Sequence, residues 1–198
     1  MGHISGGLGL ATVLASAIFA AISGSAVATA VAIGMVMIPA MKDAGYDEEV
    51  GAALTATASC MGPIIPPSIP FIMYGVIANV SIGALFLAGV IPGLLLGTFL
   101  MIYVYVISRK RGYPREPQAS FGEVCKGAWQ ALPALLMPVI IMGGILSGVF
   151  TPTEAAGVVV AYAILVGAFF YRKLKWRRLP DILLVSGLES AMVMLLLG

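Results

Sequence analysis

The sequence Gly62-Pro63-Ile64-Ile65-Pro66-Pro67-Ser68, closely followed by Pro70, lies in the middle of an apolar stretch that runs from residue 50 to residue 78. A proline lacks an N–H and crowds the carbonyl four residues before it, so an α-helix cannot continue through this sequence. The prolines remove the helical donors of four carbonyls, those of Ser59, Gly62, Pro63 and Pro66. A free carbonyl in hydrocarbon costs several kcal/mol, roughly, unless protein, water or a cation satisfies it.

A discontinuous helix of this kind favours a cation site, because unwound carbonyls near the bilayer midplane coordinate Na⁺ or protons in secondary transporters. A proline kink whose carbonyls are satisfied by neighbouring helices is the simpler alternative.

The composition indicates a membrane protein. Of the 198 residues, 60% are hydrophobic and only 10% are charged, which is more apolar than a soluble domain of this size requires. Continuous apolar runs at 83–107, 128–149 and 153–171 have the length of membrane-spanning helices, and a last run extends from about residue 180 to 198. We expect an all-α polytopic membrane protein.

Residues 8–40 are almost wholly apolar or small, but Ser23-Gly24-Ser25 interrupts them. Fifteen residues on either side reach roughly 22 Å, which is short of a hydrocarbon core of roughly 30 Å. The arithmetic predicts a re-entrant hairpin with its tip inside the membrane, and a single tilted span over 8–30 is the alternative. The end of the first leg offers carbonyls to a cation, and the start of the second offers N–H groups to an anion. Considered alone, the Ser-Gly-Ser sequence is explained equally well by ordinary packing of small residues between helices.

The basic residues predict the topology. All eleven Lys and Arg fall into three groups between the apolar runs, at Lys42, at 109–126 and at 172–178. Two crossings separate each group from the next, so all three lie on one face, which the positive-inside rule assigns to the cytoplasm.

Two carboxylates lie near or within apolar runs. Thr151-Pro152-Thr153-Glu154 has the pattern of a capping box, which gives Glu154 a structural role. Glu189 is solvated if residues 181–190 lie along the cytoplasmic interface, the arrangement that the basic group before it favours, and is a functional candidate if that helix is inside the membrane.

Enzymatic chemistry has no support in the sequence. There is no His-Glu-x-x-His pair, no aspartate within a span, a single histidine and no glycine-rich phosphate loop. The sequence therefore indicates neither an enzyme nor a nucleotide-driven pump, and it calls for no organic cofactor.

With these residues in view, the chain resembles the large membrane subunit of the tripartite ATP-independent periplasmic (TRAP) transporters. The motifs that carry the resemblance occur in order along the chain: Gly6-Gly7, Ile22-Ser23-Gly24-Ser25-Ala26, Ile38-Pro39-Ala40-Met41, Gly45-Tyr46, Gly62 to Ser68, Tyr74-Gly75 and Phe150-Thr151-Pro152-Thr153-Glu154-Ala155-Ala156.

The resemblance implies a Na⁺-coupled symporter of the bacterial or archaeal cytoplasmic (inner) membrane that imports organic acids such as C4-dicarboxylates, sialic acid or other sugar acids. It implies an elevator-type mechanism, an inverted-repeat architecture, and two partners: a small four-helix membrane subunit and a periplasmic substrate-binding protein. It places a Na⁺ site, formed mainly by backbone carbonyls, at Ser23, Gly24, Ser25, Gly62, Pro63, Pro66, Pro67 and Ser68. Substrate contacts fall at Ser25, Ala26 and Ser68.

The resemblance also implies a division of the chain. Residues 1–41 form the re-entrant hairpin of the transport domain, 42–78 form its broken transmembrane helix, and 79–198 form connecting and scaffold helices with basic cytoplasmic loops. The opening helices, second hairpin and second broken helix of the family are missing, and the apolar C-terminal end has the character of a truncation. The alternatives are another elevator-type carrier, of the divalent anion/Na⁺ symporter kind without a binding protein, and a non-transporting membrane scaffold.

The charge distribution generates a first prediction. In the complete protein, made cysteine-free, Ser120→Cys and Lys175→Cys should each react only with thiol reagents that enter the cytoplasm, because both lie in basic loops. Labelling of either from the periplasm would overturn the crossing count.

Overall fold

The computed structural model describes residues 5–113 and 120–197, and within these ranges the regular secondary structure is entirely helical. The α-helices are α1 (Gly7–Ser23), α2 (Ala26–Asp43), α3 (Glu48–Ser59), α4 (Ile69–Ile77), α5 (Ile82–Arg111), α6 (Phe121–Leu146), α7 (Pro152–Leu165) and α8 (Leu179–Leu197). A π-helical turn (Val166–Phe170) and a 3₁₀ turn (Trp176–Arg178) lie between α7 and α8. The chain divides into two compact units, residues 1–156 and residues 157–198. The expected all-α class is confirmed.

The interruption at Ser23-Gly24-Ser25 separates two helices, as expected. Gly24 adopts the left-handed conformation (φ 61°) that ends a helix at little steric cost for glycine, and its N–H donates to the carbonyl of Ala20. Ser25 is the N-cap of α2, where its hydroxyl accepts from the N–H of Ala28. Helices α1 and α2 pack against each other, and α3 packs against both.

Both outer ends of this hairpin lie at the C-terminal end of α5. A Cβ on Gly6, before α1, would be 2.3 Å from the Ser108 hydroxyl oxygen. Beyond α2, Asp47 accepts hydrogen bonds from Arg111 and, at 3.0 Å, from the Tyr113 hydroxyl. The rings of Tyr46 and Tyr113 stack with their centroids 4.2 Å apart. The start of α1, the α2–α3 connection and the basic end of α5 therefore share one end of the first unit.

Helix α5 carries three glycines, at positions 89, 93 and 97, on the face that meets residues 61–71. The nearest atoms to their Cβ positions belong to Phe71, Ile65 and Met61 respectively. Because these glycines have no side chain, the broken segment between α3 and α4 lies directly against the middle of α5.

Four helical stretches are long and apolar enough to cross a membrane: Ala26–Asp43, Ile82–Arg111, Gly122–Leu146 and Pro152–Phe170. Many large apolar side chains on these helices are exposed, such as Val27 and Met35 on α2 and Phe99 on α5. Exposure on this scale is ordinary for a lipid-facing surface and unusual for one in water. Since α2 is itself long enough to cross, length alone does not establish the re-entrant path, which stays a prediction.

The structure describes both carboxylates singled out in the sequence, Glu154 and Glu189. Glu154 accepts from the Thr151 N–H and hydroxyl, both at 2.8 Å, and its own N–H donates to that hydroxyl, which confirms the predicted capping box. A second capping box pairs Ser120 with Glu123 at the start of α6. Glu189 lies on α8 and is exposed.

The packing of α5 generates a second prediction. Gly89→Ala places a Cβ 2.5 Å from the carbonyl oxygen of Ile64 and 2.4 Å from the Phe71 ring. Because a backbone carbonyl cannot move aside cheaply, the variant should be destabilised by about 1–3 kcal/mol, measured by thermal unfolding of the complete permease in detergent.

The control is Gly97→Ala, two turns further along the same helix face, where the closest atom is the Met61 sulfur at 3.4 Å. It should unfold close to the wild-type temperature. Equal losses in the two variants would show that glycine is required for helix packing in general and not for contact with the broken segment.

Candidate functional site

The hairpin turn, Ser23-Gly24-Ser25, is held by hydroxyl groups. The Ser23 and Thr29 hydroxyl oxygens lie 2.9 Å apart, and the Thr29 hydroxyl donates to the Ser25 carbonyl at 2.7 Å. The Ser25 N–H donates to the Ser23 hydroxyl at 3.3 Å. Thr29 is fully buried, and the sequence analysis did not single it out. Thr29 lies four residues after the N-cap serine, and a threonine hydroxyl at that position can bond to the carbonyl one turn earlier. This spacing could have identified Thr29 from the sequence.

The proline loop, residues 60–68, satisfies part of its own backbone. The Ser59 carbonyl accepts from the Gly62 N–H at 2.9 Å, and the Pro63 carbonyl accepts from the Ser68 hydroxyl at 2.7 Å. The carbonyls of Gly62 and Pro66 accept no hydrogen bond from a described residue. Of the four carbonyls predicted to lose their helical donors, two have other donors and two are available to a ligand.

Pro70 does not belong to the break. It occupies the first turn of α4, where a helix needs no N–H from it. Ser68 is the N-cap of α4 and is fully buried; its hydroxyl accepts from the Phe71 N–H at 3.4 Å while it donates to Pro63. The hydroxyl proton of Ser68 is thus used within the proline loop.

The hairpin turn and the proline loop meet backbone to backbone. A Cβ on Gly62 would lie 2.6 Å from the carbonyl carbon of Ser25 and 2.8 Å from the nitrogen of Ala26. A Cβ on Gly24 would lie 2.9 Å from the carbonyl oxygen of Pro67. The Ile69 N–H also donates to the Gly24 carbonyl, over a long 3.5 Å. These distances can exist only because positions 24 and 62 are glycines.

This contact brings four helix ends to one place. The C-terminal ends of α1 and α3 carry the negative ends of their helix dipoles, and the N-terminal ends of α2 and α4 carry the positive ends. The Ser23 carbonyl, at the end of α1, also accepts no hydrogen bond from a described residue. No group of His, Cys, Asp or Glu able to hold a metal occurs among the described residues. The backbone therefore supplies the electrostatics of this site.

The predicted site residues fall into two groups in the structure, those at the contact between the two segments and those within the proline loop. Gly24, Ser25, Ala26, Gly62 and Pro67 take part in the contact between the two segments, and Ser23 joins them through the turn. Pro63 and Ser68 close the proline loop on itself, and Pro66 lies between them with its carbonyl free.

A cavity of about 430 Å³ lies away from this contact, between α3 and α5. Its lining is mostly apolar and includes Met41, Tyr46, Leu54, Leu100 and Val104. None of the predicted site residues lines it. Tyr46 and Tyr113, which stack on each other, place it at the basic end of α5.

An all-helical membrane protein with a hairpin turn seated on a discontinuous helix is of the class of polytopic permeases. The chain belongs to the DctM component family of the tripartite ATP-independent periplasmic transporters, whose family description matches residues 1–198. This confirms the family inferred from the motifs and makes the chain part of a transporter permease, not an enzyme.

Several characterised relatives are similar along the chain. It is 44% identical over 198 residues to the sialic acid TRAP transporter permease protein SiaT of Haemophilus influenzae, covering 98% of this chain and 32% of that protein. It is 45% identical to the C4-dicarboxylate TRAP transporter large permease protein DctM of Pseudomonas aeruginosa, covering 100% of this chain and 46% of the relative. It is 43% identical to the ectoine TRAP transporter large permease protein TeaC of Halomonas elongata, with the same coverage. The chain thus spans between about a third and a half of the length of these relatives.

The contact between the two segments generates a third prediction. Gly62→Ala should force the hairpin turn away from the proline loop, because the new methyl group would overlap the Ser25 carbonyl group. In the complete transporter we expect normal insertion but a loss of ligand-induced protection at position 25, measured as the labelling rate of a Ser25→Cys reporter with and without substrate and Na⁺.

Gly34→Ala is the matched control within the same hairpin, since its nearest neighbours are side-chain methyl groups of Ile38 and Thr55 at 3.4 and 3.5 Å and not backbone atoms. It should keep the protection. If Gly62→Ala keeps it as well, the close approach seen here is not required for ligand binding.

Proposed function

We propose that the complete protein imports organic acid anions across a bacterial or archaeal cytoplasmic membrane, driven by Na⁺ and supplied by a periplasmic binding protein. The carrying observation is the contact between Gly62 and Ser25, which brings together carbonyls without a described donor and helix N-termini from two stretches, 8–41 and 50–78, that contain no charged residue. Family membership and the sialic acid and C4-dicarboxylate named in two relatives support the transport class.

In this proposal the cation binds at the eight positions expected from the sequence: Ser23, Gly24, Ser25, Gly62, Pro63, Pro66, Pro67 and Ser68. The carbonyls of Ser23, Gly62, Pro66 and Pro67 are the best candidates for ligands, because no described residue donates to them. The others hold the geometry: the Ser25 carbonyl is occupied by Thr29, and the Pro63 carbonyl by Ser68.

The substrate carboxylate is proposed to lie at the N-terminal ends of α2 and α4, near Ser25, Ala26 and Ser68. Both ends carry a positive half-dipole, which suits an anion beside a bound cation. At α2 the N–H groups of Ala26 and Val27 donate to no described residue, whereas at α4 the Ile69 N–H already donates to the Gly24 carbonyl. Since the Ser68 hydroxyl donates to Pro63, Ser68 would contribute its backbone N–H.

The depth of the site supports a re-entrant hairpin. The proline loop contacts Gly93, which lies about 27 Å from the Arg111 end of α5 and about 17 Å from its Ile82 end at 1.5 Å per residue. If α5 crosses the membrane, the hairpin turn seated on that loop lies inside it. The ion pair between Asp47 and Arg111 likewise supports placing the loops at 42–49 and 109–127 on one face, proposed to be cytoplasmic.

We propose an elevator-type movement for this site, with the hairpin (1–41) and the broken helix (42–78) in the moving domain. Residues 79–198 would supply connecting and scaffold helices, and the inverted-repeat partner of the hairpin would complete the architecture. Helix α5 contacts α1 and α4, which supports assigning it as the connecting helix next to the moving domain.

A small four-helix membrane subunit and a periplasmic binding protein are the proposed partners. The chain covers 31% of the isethionate TRAP transporter permease protein DctMQ and 32% of SiaT, compared with 46% of DctM from Pseudomonas aeruginosa. The first two relatives are therefore longer, which supports fusion of the small subunit in those proteins and a separate small subunit elsewhere.

The proposal is tested by changing the proline loop. In the complete transporter reconstituted with its binding protein, Pro66→Ala combined with Pro67→Ala restores two N–H groups and allows the helix to close over the free carbonyls. Loss of one good cation ligand should raise the Na⁺ concentration for half-maximal uptake about tenfold or more, which corresponds to about 1.4 kcal/mol.

Pro92→Ala is the control, because it changes an exposed proline of α5 that does not belong to the proline loop. It should leave the Na⁺ dependence unchanged. Uptake by the double variant with wild-type Na⁺ dependence would mean that the proline loop only bends a helix. Uptake by the wild type in the absence of Na⁺ would contradict the proposal that Na⁺ is the coupling ion.

A further inference from the structure

The second unit contains a dense positively charged segment, residues 172–178. Five of its seven residues are basic, and all five are exposed: Arg172, Lys173, Lys175, Arg177 and Arg178. Only Leu174 is half-buried. The segment therefore presents its charge outward along its whole length.

The backbone arranges this presentation. Arg172 adopts a left-handed conformation (φ 50°), and the N–H groups of Lys173 and Leu174 both donate to the Gly167 carbonyl, at 3.0 and 3.2 Å. The Cβ of Leu174 lies 3.6 Å from the Cβ position of Gly167. Leu174 thus folds back onto the preceding helical turn, as in a helix C-cap with its hydrophobic contact, and the chain leaves the helix direction at Arg172.

The charge of this segment is not neutralised. Among the described residues, carboxylates lie within 4.0 Å of Lys42 and Arg111 only. At the end of α5, Arg111 pairs with Asp47, and Arg109 lies over the Tyr105 ring at 5.7 Å. Within the part of the chain that the structure describes, no ion pair or ring contact is found for the five basic residues of 172–178. Five neighbouring like charges repel one another and attract anions to this surface.

Trp176 identifies the kind of anion. It is 63% exposed and sits between Lys175 and Arg177 in the 3₁₀ turn. Tryptophan is enriched at the membrane–water interface, where its apolar ring and N–H are both accommodated, and guanidinium groups bind phosphate with two parallel hydrogen bonds. The positive-inside rule accounts for the sign of the charges but not for an exposed tryptophan among them.

We propose that residues 172–178 form a binding strip for anionic phospholipids. The Arg and Lys side chains contact headgroup phosphates, and Trp176 inserts at the level of the glycerol backbone. Clusters of four or more basic residues beside a membrane helix have the charge needed for such recognition. An acidic segment of a partner protein is the competing occupant, and it lacks the apolar layer that Trp176 would enter.

The test measures lipid binding to the complete permease, purified with its partner subunit. Phosphatidylglycerol and phosphatidylcholine are titrated separately, and bound lipid is counted by native mass spectrometry. Wild-type protein should prefer phosphatidylglycerol, and Lys175→Gln with Arg177→Gln and Arg178→Gln should weaken that binding about tenfold or more. The matched control, Arg109→Gln with Lys110→Gln, should bind phosphatidylglycerol within about twofold of the wild type, because it removes charges at the end of α5 and none from residues 172–178.

Two further measurements test the proposal even if the triple variant does not fold. Raising the salt concentration should weaken phosphatidylglycerol binding to the wild type, since headgroup contacts at the surface are screened. Arg177→Lys with Arg178→Lys retains the charge but not the paired hydrogen bonds, so it should bind phosphatidylglycerol more tightly than the triple variant and less tightly than the wild type. Equal affinity for both lipids, unchanged binding by the triple variant, or displacement of the lipid by soluble poly-glutamate would overturn the proposal, the last in favour of an acidic protein partner.

Discussion

The approach of the Gly62 backbone to the Ser25 carbonyl group is the constraint on which the first unit depends. Two polypeptide segments meet there at distances that admit no Cβ. The contact sets the position of the hairpin turn on the proline loop, and that loop is in turn held by the glycine face of α5. A side chain at Gly24, Gly62, Gly89 or Gly93 would force these segments apart.

The site that results contains helix ends in place of charged side chains. Burying a carboxylate or an ammonium group in a membrane is expensive, whereas a helix end carries about half a charge without being ionised. In the proposed function, four such ends, two of each sign, would let a cation and an anion bind side by side. The proposed site would be near neutral both with the two ligands bound together and with both absent, which is the electrostatic condition that the proposed symport requires.

The hydroxyl groups of Thr29 and Ser68 have a different task. Ser68 donates to the Pro63 carbonyl, which the break would otherwise leave without a donor. Thr29 adds a second donor to the Ser25 carbonyl, which already accepts from the Thr29 N–H. An unsatisfied carbonyl buried in hydrocarbon costs several kcal/mol, roughly, so the Ser68 hydroxyl stabilises the proline loop while the Thr29 hydroxyl fixes the hairpin turn.

The sequence by itself determined where the helices break, because proline and glycine act on the backbone within one turn of their own position. The interruption at Ser23-Gly24-Ser25, the loss of helix across Gly62 to Ser68 and the capping box at Thr151 all follow from such local effects. Pro70 in the first turn of α4 and Thr29 one turn after Ser25 also follow local preferences, although the sequence analysis did not use them. The tertiary structure alone decided which donors the Ser59 and Pro63 carbonyls have, and that Gly62 touches Ser25. These features depend on how separate segments pack, or on which of several nearby donors a loop selects once it is packed, and no local preference of a residue encodes that choice.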